Sequence, residues 1–230
     1  MLQIDQVALC SGSFRLTADL TLATGARVAV IGPSGAGKST LLAAIAGFQP
    51  LAAGAIRWQG QDLGPLPPGA RPLTILFQDS NLFAHLSVAQ NIGLGLRPDL
   101  RLAAAEWHRV DGVLDRVGLT AMASRKPGAL SGGQQSRVAL ARALIRARPL
   151  LLLDEPFAAL GPALTAEMLA LVAEICTETG ATLLMVTHHP DDATTLTPET
   201  LVVADGAVTG PFATALLLAN PPPALRRYLG

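Results

Sequence analysis

The sequence predicts an α/β layer fold, in which helices cover the faces of a largely parallel sheet. The unbroken apolar run at residues 150–153 is typical of a strand that is buried on both faces of such a sheet. A second strand pattern at residues 28–31 is followed by a glycine-rich segment and then by a helix-like pattern at residues 41–47. Strand and helix patterns continue to alternate along most of the chain, which indicates one sheet with helices packed against it.

The N-terminal part is predicted to form an antiparallel flap that leads into the central strand at residues 28–31. Turn signals at Ser11-Gly12 and Thr24-Gly25 separate its strands, and the proline-rich residues 65–69 interrupt regular structure further on. The strands predicted around the glycine-rich segment lie at residues 2–7, 14–20, 54–58 and 73–77.

Residues from about 79 to 148 carry an irregular helical pattern, which predicts an all-helical subdomain inserted in the α/β core of a single domain, 1–230. The last helix of this insert is predicted to begin near Ser131 and to end at about Arg148, where Pro149 follows. Beyond the strand at 150–153, the patterns predict a helix that ends before Gly180, a strand at 182–187, and a hairpin whose turn is Asp205-Gly206.

Composition argues against several classes of protein. The 17 Lys and Arg residues balance 17 Asp and Glu residues, so we expect no nucleic-acid partner. Two cysteines are too few for a disulfide framework, and the first residues lack the pattern of a signal peptide, so we expect the chain to stay in the cytosol. The uncharged stretches at 39–56 and 207–225 contain glycine and proline, so we expect that the chain does not cross a membrane.

The glycine-rich segment predicts a site for a nucleoside triphosphate. Glycines let the backbone wrap closely around an anion, so that its N–H groups and the dipole of the following helix point at the phosphates. Lys38 would reach the β- and γ-phosphates, and the Ser39 hydroxyl would ligate Mg²⁺. A simple turn is the alternative, but the strand before it and the helix after it favour the phosphate site. The predicted nucleotide-binding residues of this segment are Gly32, Pro33, Ser34, Gly35, Ala36, Gly37, Lys38, Ser39 and Thr40.

Further polar side chains are predicted at the ends of strands, where the ligands of an open α/β sheet bind. Asp154 is expected to hold Mg²⁺, directly or through water, and Glu155 is expected to orient and deprotonate the attacking water. Gln78 is expected to reach the metal or the water, and His188 is expected to bond the γ-phosphate. A lone Gln or His at a strand end is more often structural, but their order relative to the glycine-rich segment and the acid pair favours a functional role.

Ser131, Gly132, Gly133 and Gln134 predict a second anion-binding turn at a helix N-terminus. One nucleotide does not need two such turns. If the helical insert holds this turn away from the chain's own phosphate site, the triphosphate that it contacts belongs to a second copy. A head-to-tail dimer with two composite sites then follows. The alternative is an N-cap serine with glycines that allow close packing.

Together these motifs resemble those of the ATP-binding cassette (ABC) ATPases over nearly the whole chain. The similar parts are the Walker A motif at 32–40, the Q-loop at Gln78, the LSGGQ signature at 130–134, the Walker B motif with its catalytic glutamate at 150–155, and the switch histidine at His188. Residues 76–96 and 201–206 further resemble the branch of this family that energises thiamine import in Gram-negative bacteria.

The resemblance implies an ATPase that binds ATP and Mg²⁺, dimerises with ATP, and couples hydrolysis to the import of thiamine and its phosphates. It also implies a membrane-spanning permease, received by a groove at Leu82 and Phe83, and indirectly a periplasmic substrate-binding protein. The implied location is peripheral, on the cytoplasmic face of the bacterial inner membrane. Three alternatives remain open: an importer of another small solute, a non-transport ABC ATPase that acts on DNA or ribosomes, and a regulator without turnover.

The chain departs from the family's usual pattern in the D-loop and near the expected adenine site. Gly161 stands where the family usually has aspartate, and this change removes a carboxylate that helps to couple two sites. Near Ser11, where an aromatic residue usually stacks on adenine, the chain offers only Phe14 as a substitute. After the signature come Gln135 and Ser136, and His189 follows the switch histidine where an acid is common.

Overall fold

One mixed sheet runs through the whole fold. We describe a computed structural model of the chain, covering residues 1–79, 81–223 and 225–226. Within these residues ten strands form a single sheet in the order β5-β4-β1-β2-β10-β9-β3-β8-β7-β6. The strands are β1 Leu2–Ser11, β2 Phe14–Leu22, β3 Arg27–Ile31, β4 Ala53–Trp58, β5 Gln61–Asp62, β6 Leu73–Leu76, β7 Leu150–Asp154, β8 Thr182–Val186, β9 Glu199–Ala204 and β10 Ala207–Ala213.

The two halves of the sheet differ in strand direction. The strands β5, β4, β1 and β2 pair antiparallel, as the predicted flap requires. The strands β9, β3, β8, β7 and β6 pair parallel, and β10 joins the two halves by pairing antiparallel with β9 and parallel with β2. This arrangement confirms the predicted α/β class and makes the flap continuous with the parallel sheet.

Helices cover both faces of the parallel half. They are α1 Lys38–Ala46, α2 Val88–Gly93, α3 Ala104–Arg116, α4 Gly132–Ile145, α5 Pro162–Thr179, α6 Pro190–Leu196 and α7 Thr214–Ala219. Short 3-10 turns lie at Pro68–Ala70, Thr120–Met122 and Pro127–Ala129. Between β6 and β7, the described part of the chain contains only helices, turns and irregular segments.

Strand β7 divides the core into two parts because successive side chains of a strand point to opposite faces. Leu150 and Leu152 pack in one cluster with the apolar side of α1. Leu151 and Leu153 pack in a second cluster with α4 and α5. The helix that follows the glycine-rich segment and the helix that carries the second glycine turn therefore lie on opposite faces of the sheet.

Several predicted boundaries are confirmed and others are wrong. Helix α5 ends at Thr179 with Gly180 in the left-handed region at φ 65°, and the Asp205-Gly206 turn has positive φ at both residues. Helix α4 stops at Ile145 rather than near 148, because Ala147 already has φ 48° and the chain must turn into β7.

The first strand also differs from its prediction. It continues to Ser11 instead of ending at residue 7, since a register shift near Gln6 lets it keep pairing with β2. The turn that follows it is therefore Gly12-Ser13 rather than Ser11-Gly12. The short helices α6 and α7 were not anticipated from the sequence. None of the helices in the described residues is long and apolar enough to cross a bilayer.

Candidate nucleotide site

The glycine-rich segment is the loop between β3 and α1. Gly32 has φ 151°, and a Cβ atom built on it would collide with the carbonyl oxygen of Val203 in β9. Gly37 has φ 106°, and a Cβ atom there would lie 2.6 Å from Cζ of Phe14. Both positions need glycine for two reasons, conformation and space. The phenyl ring of Phe14 thus packs against the end of this loop, at the start of α1.

Lys38 is buried in the loop with 6% of its surface exposed. Its ammonium group donates hydrogen bonds to the carbonyl oxygens of Gly32, at 2.8 Å, and Pro33, at 2.9 Å. Burial lowers the pKa of Lys38, while the carboxylates of Glu155 and Asp154 act in the opposite direction. A lysine held in this way places a cationic hydrogen-bond donor at the loop, where it suits an anion.

Asp154 ends β7 with only 4% of its surface exposed. The hydroxyl of Ser39 hydrogen-bonds to its carboxylate, whereas Oδ1 is buried without a hydrogen-bond partner among the described residues. Burial raises the pKa of Asp154, the Ser39 bond lowers it, Glu155 raises it, and Lys38 and His188 lower it. A buried carboxylate oxygen beside a hydroxyl is the donor set that a hard divalent cation prefers, so these residues fit Mg²⁺.

Two more predicted residues meet around the carboxylate of Glu155. Gln78 donates to Oε2 of Glu155 at 3.4 Å, and His188 Nε2 pairs with Oε1 of the same carboxylate. The backbone of Glu155 has φ 49°, and its N–H donates to the carbonyl oxygen of Val186 in β8 at 3.1 Å. The side chain of Glu155 lies near the ends of β6 and β8, because its partners Gln78 and His188 follow those strands. The structure thus brings Gln78, Glu155 and His188 together at one edge of the sheet.

The second glycine turn begins α4 on the other face of the sheet. Ser131 is its N-cap: the hydroxyl accepts from the N–H of Gln134 at 3.3 Å, and Oε1 of Gln134 accepts from the N–H of Ser131 at 2.9 Å. Helix α4 packs on α2, α3 and β6, whereas α1 packs on β6, β7 and β8. A Cβ atom on Gly133 would lie 3.2 Å from Leu160, so this turn sits against the loop that follows Glu155. The structure therefore does not bring residues 131–134 to the phosphate loop of the same chain.

Two buried polar residues near His188 were missed by the sequence reasoning. Thr187 donates to Oδ2 of Asp192 at 3.1 Å, and the N–H of His189 donates to the Thr187 hydroxyl at 3.1 Å. A cavity of about 30 Å³ is lined by these residues together with Glu155 and His188. A threonine after a strand and an acid in a short helix carry no distinctive sequence signal, so only the contacts identify them.

A wide apolar groove opens beside the strand that leads to Gln78. It has a volume of about 630 Å³ and is lined by Ile75, Phe77, Asn81, Phe83, His85, Leu86, Leu94, Pro98, Leu100 and Arg142. Phe83 is 49% exposed in it, as expected, but Leu82 is not part of the lining. The side chain of Leu82 instead packs, partly buried, on the core cluster of α4 and α5.

Comparison with known proteins identifies the class to which this fold and site belong. The family model described as ABC transporter matches residues 17–158, so the chain belongs to that family as one of its ATPase domains. The thiamine import ATP-binding protein of Cereibacter sphaeroides is 62% identical over 230 residues, covering 100% of both chains. The thiamine import ATP-binding protein of Ruegeria sp. is 56% identical over 230 residues, again covering 100% of both.

Solved structures give the same result. The ATP-binding cassette MJ0796, in a dimeric post-hydrolysis state bound to ADP and Pi, superposes with a TM-score of 0.83 at 28% identity. The match covers 93% of this chain and 99% of that one. The predicted core fold of an ABC ATPase is therefore confirmed.

Proposed function

We propose that this chain is the energy-coupling ATPase of a bacterial thiamine importer. The observation that carries the proposal is the meeting of Lys38, Asp154 and Glu155 at one edge of the sheet. Relatives that are 51–62% identical over the full length and are thiamine import ATP-binding proteins support the importer. The assignment of thiamine as the transported solute rests on those relatives, because the proposed ATPase site does not contact the solute.

The proposed chemistry is hydrolysis of ATP at the phosphate loop. Residues 32–40 would hold the phosphates, with the ammonium group of Lys38 on the β- and γ-phosphates. Ser39, Asp154 and Gln78 would hold Mg²⁺, which neutralises charge that develops on the phosphates. Glu155 would accept the proton of the attacking water, and His188 would bond both that carboxylate and the γ-phosphate.

The active unit is proposed to be a head-to-tail dimer of two copies. The support is geometric: residues 131–134 form an anion-binding turn on α4, on the opposite face of the sheet from α1. The N–H groups at the start of α4 suit an anion. Because the chain's own glycine-rich segment lies on the other face of the sheet, that anion would be the phosphate bound by a second copy. The dimeric state of MJ0796, at 28% identity, supports a dimer of two copies.

The membrane-spanning partner is proposed to dock in the groove beside β6. The exposed ring of Phe83 and the surrounding apolar residues would be covered by a short helix of the permease. The groove shares Phe77 with the segment that ends at Gln78, so a shift of the docked helix would move Gln78 relative to Glu155. The chain would then lie on the cytoplasmic face of the inner membrane, with the periplasmic binding protein acting through the permease.

The direct test of the hydrolytic site is Glu155→Gln. This variant should retain ATP binding, stop turnover, and accumulate an ATP-bound dimer that light scattering detects, whereas Lys38→Ala should weaken ATP binding itself. Glu167→Gln, an exposed acid on α5, is the matched control and should hydrolyse ATP like the parent. Hydrolysis by Glu155→Gln at the parent's rate would remove this glutamate from the proposed role.

The transported solute needs a separate experiment in cells. Deletion of this subunit should abolish high-affinity uptake of labelled thiamine and leave the affinity of the periplasmic binding protein for thiamine unchanged. If thiamine uptake persists and uptake of another solute is lost, the importer assignment stands and the assignment of thiamine fails.

A further inference from the structure

The residues on either side of His188 are fixed by buried hydrogen bonds, although His188 itself is partly exposed. Thr187 and Asp192 have only 4% and 7% of their surfaces exposed. The Thr187 hydroxyl donates to Asp192 at 3.1 Å and accepts from the N–H of His189 at 3.1 Å. The Thr187 hydroxyl therefore links the residues on both sides of His188 to the Asp192 carboxylate.

This network borders the candidate hydrolytic site directly. The small cavity beside Glu155 is lined by Thr187, His188 and Asp192, and also by Phe157 of the loop that follows Glu155. The imidazole Nε2 of His188 also pairs with the Glu155 carboxylate. A change in the Thr187–Asp192 bond would thus move the peptide that carries the imidazole.

The burial of Asp192 is not needed for the formation of α6. Burial raises the pKa of its carboxyl, the Thr187 bond and His189 oppose that rise, and Asp191 adds to it. An exposed acid would serve the first turn of α6 equally well, and Asp191 already occupies that place. Buried polar groups need hydrogen-bond partners, so the Thr187 hydroxyl and the Asp192 carboxylate depend on each other.

We propose that Asp192, acting through Thr187, is a positioning residue for ATP hydrolysis: it fixes the loop that presents His188 to Glu155. This inference rests on the proposed roles of Glu155 and His188. A displacement of a catalytic group by about 1 Å costs up to roughly 100-fold in rate, so loss of the bond acts mainly on kcat.

Variants of the two residues that form the Thr187–Asp192 hydrogen bond test the proposal. Asp192→Ala should lower kcat about tenfold or more and change KM for ATP less than twofold, and Thr187→Val should reproduce that effect. Thr187→Ser and Asp192→Asn keep a hydroxyl and an acceptor, so both should retain kcat within about threefold. The double variant Thr187→Val/Asp192→Ala should be no slower than either single variant, since both remove the same bond. Asp191→Ala, an exposed acid on the same turn, is the matched control and should behave like the parent.

A second readout separates positioning from loss of fold. The imidazole resonance of His188, assigned in the assembled protein by comparison with His188→Gln, should shift in Asp192→Ala and Thr187→Val and stay unchanged in Asp191→Ala. The proposal is overturned if folded Asp192→Ala keeps the parent's kcat and His188 resonance, or if Asp192→Asn loses as much activity as Asp192→Ala. Failure of the underlying proposal is distinguishable, because Glu155→Gln would then hydrolyse ATP normally whatever the Asp192 variants do.

Discussion

Helix α5 begins without a side-chain cap, and the structure indicates how to supply one. Gly161 is its N-cap residue, with φ −77° and ψ 162°, and no side chain accepts a hydrogen bond from the first turn. This extended backbone is the conformation expected before Pro162 and is open to any residue. A Cβ atom on Gly161 would meet nothing within 4 Å. Gly161→Asp can therefore place a carboxylate over the free N–H groups without strain.

Three effects add to the expected gain in the free energy of unfolding. The cap oxygen contributes a few tenths of a kcal/mol relative to glycine. The negative charge at the start of α5 contributes about 0.3–1 kcal/mol, and restriction of the unfolded chain contributes about 0.4–1 kcal/mol. Together they amount to about 1–2 kcal/mol, which raises the thermal midpoint of a chain of this size by about 3–6 °C.

Thermal unfolding followed by circular dichroism tests this prediction, with Gly161→Asn as the matched control. Asparagine keeps the cap and the unfolded-state effect but removes the charge, so the difference between the two variants should shrink as salt is added. A midpoint for Gly161→Asp equal to or below that of the parent would refute the reasoning, because neither strain nor a clash is present to offset the cap.

Two further predictions concern buried charge. Since burial raises the pKa of Asp154 above its value in the unfolded chain, its contribution to stability is present at low pH and lost as pH rises through the folded pKa. Asp154→Asn should therefore gain stability relative to the parent as pH is raised above about 4, in nucleotide-free unfolding experiments, and a constant difference would contradict this cause. Arg71 is 7% exposed and donates to the carbonyl oxygens of Ala44 and Ile45 at the end of α1, so Arg71→Ala should destabilise the protein by roughly 2–4 kcal/mol in denaturant titration. An effect below about 0.5 kcal/mol would show that water replaces the guanidinium at those carbonyls.

The strands of the parallel half could be predicted because their sequences are locally unambiguous. The four leucines at 150–153 are typical of a strand buried on both faces, and the Asp-Gly pair at 205–206 is typical of a type I′ turn. Once these strands are assigned, the ligand side of the sheet follows from the general rule that ligands bind at the carboxyl ends of its strands. Asp154 ends β7, and Gln78 and His188 follow β6 and β8, although both strands end one residue earlier than predicted.

The parts that could not be predicted depend on contacts between distant segments. Pairing of β10 with β2 joins residues nearly two hundred positions apart, and no local pattern encodes it. The requirement for glycine at position 32 comes from the carbonyl of Val203, which sequence alone does not bring near. The buried bond between Thr187 and Asp192 joins residues only 5 positions apart, but a threonine after a strand and an acid in a short helix carry no distinctive sequence pattern.

The buried ionic groups of the site also indicate why ligand and fold should stabilise each other. Burial lowers the pKa of Lys38 and raises that of Asp154, so it disfavours the charged form of both. Their mutual attraction offsets only part of that cost. A phosphate beside Lys38 and a divalent cation beside Asp154 would each favour the charged form again. Binding of Mg²⁺ and nucleotide would therefore remove this cost, so the two ligands should raise the thermal midpoint of the parent more than that of Asp154→Asn.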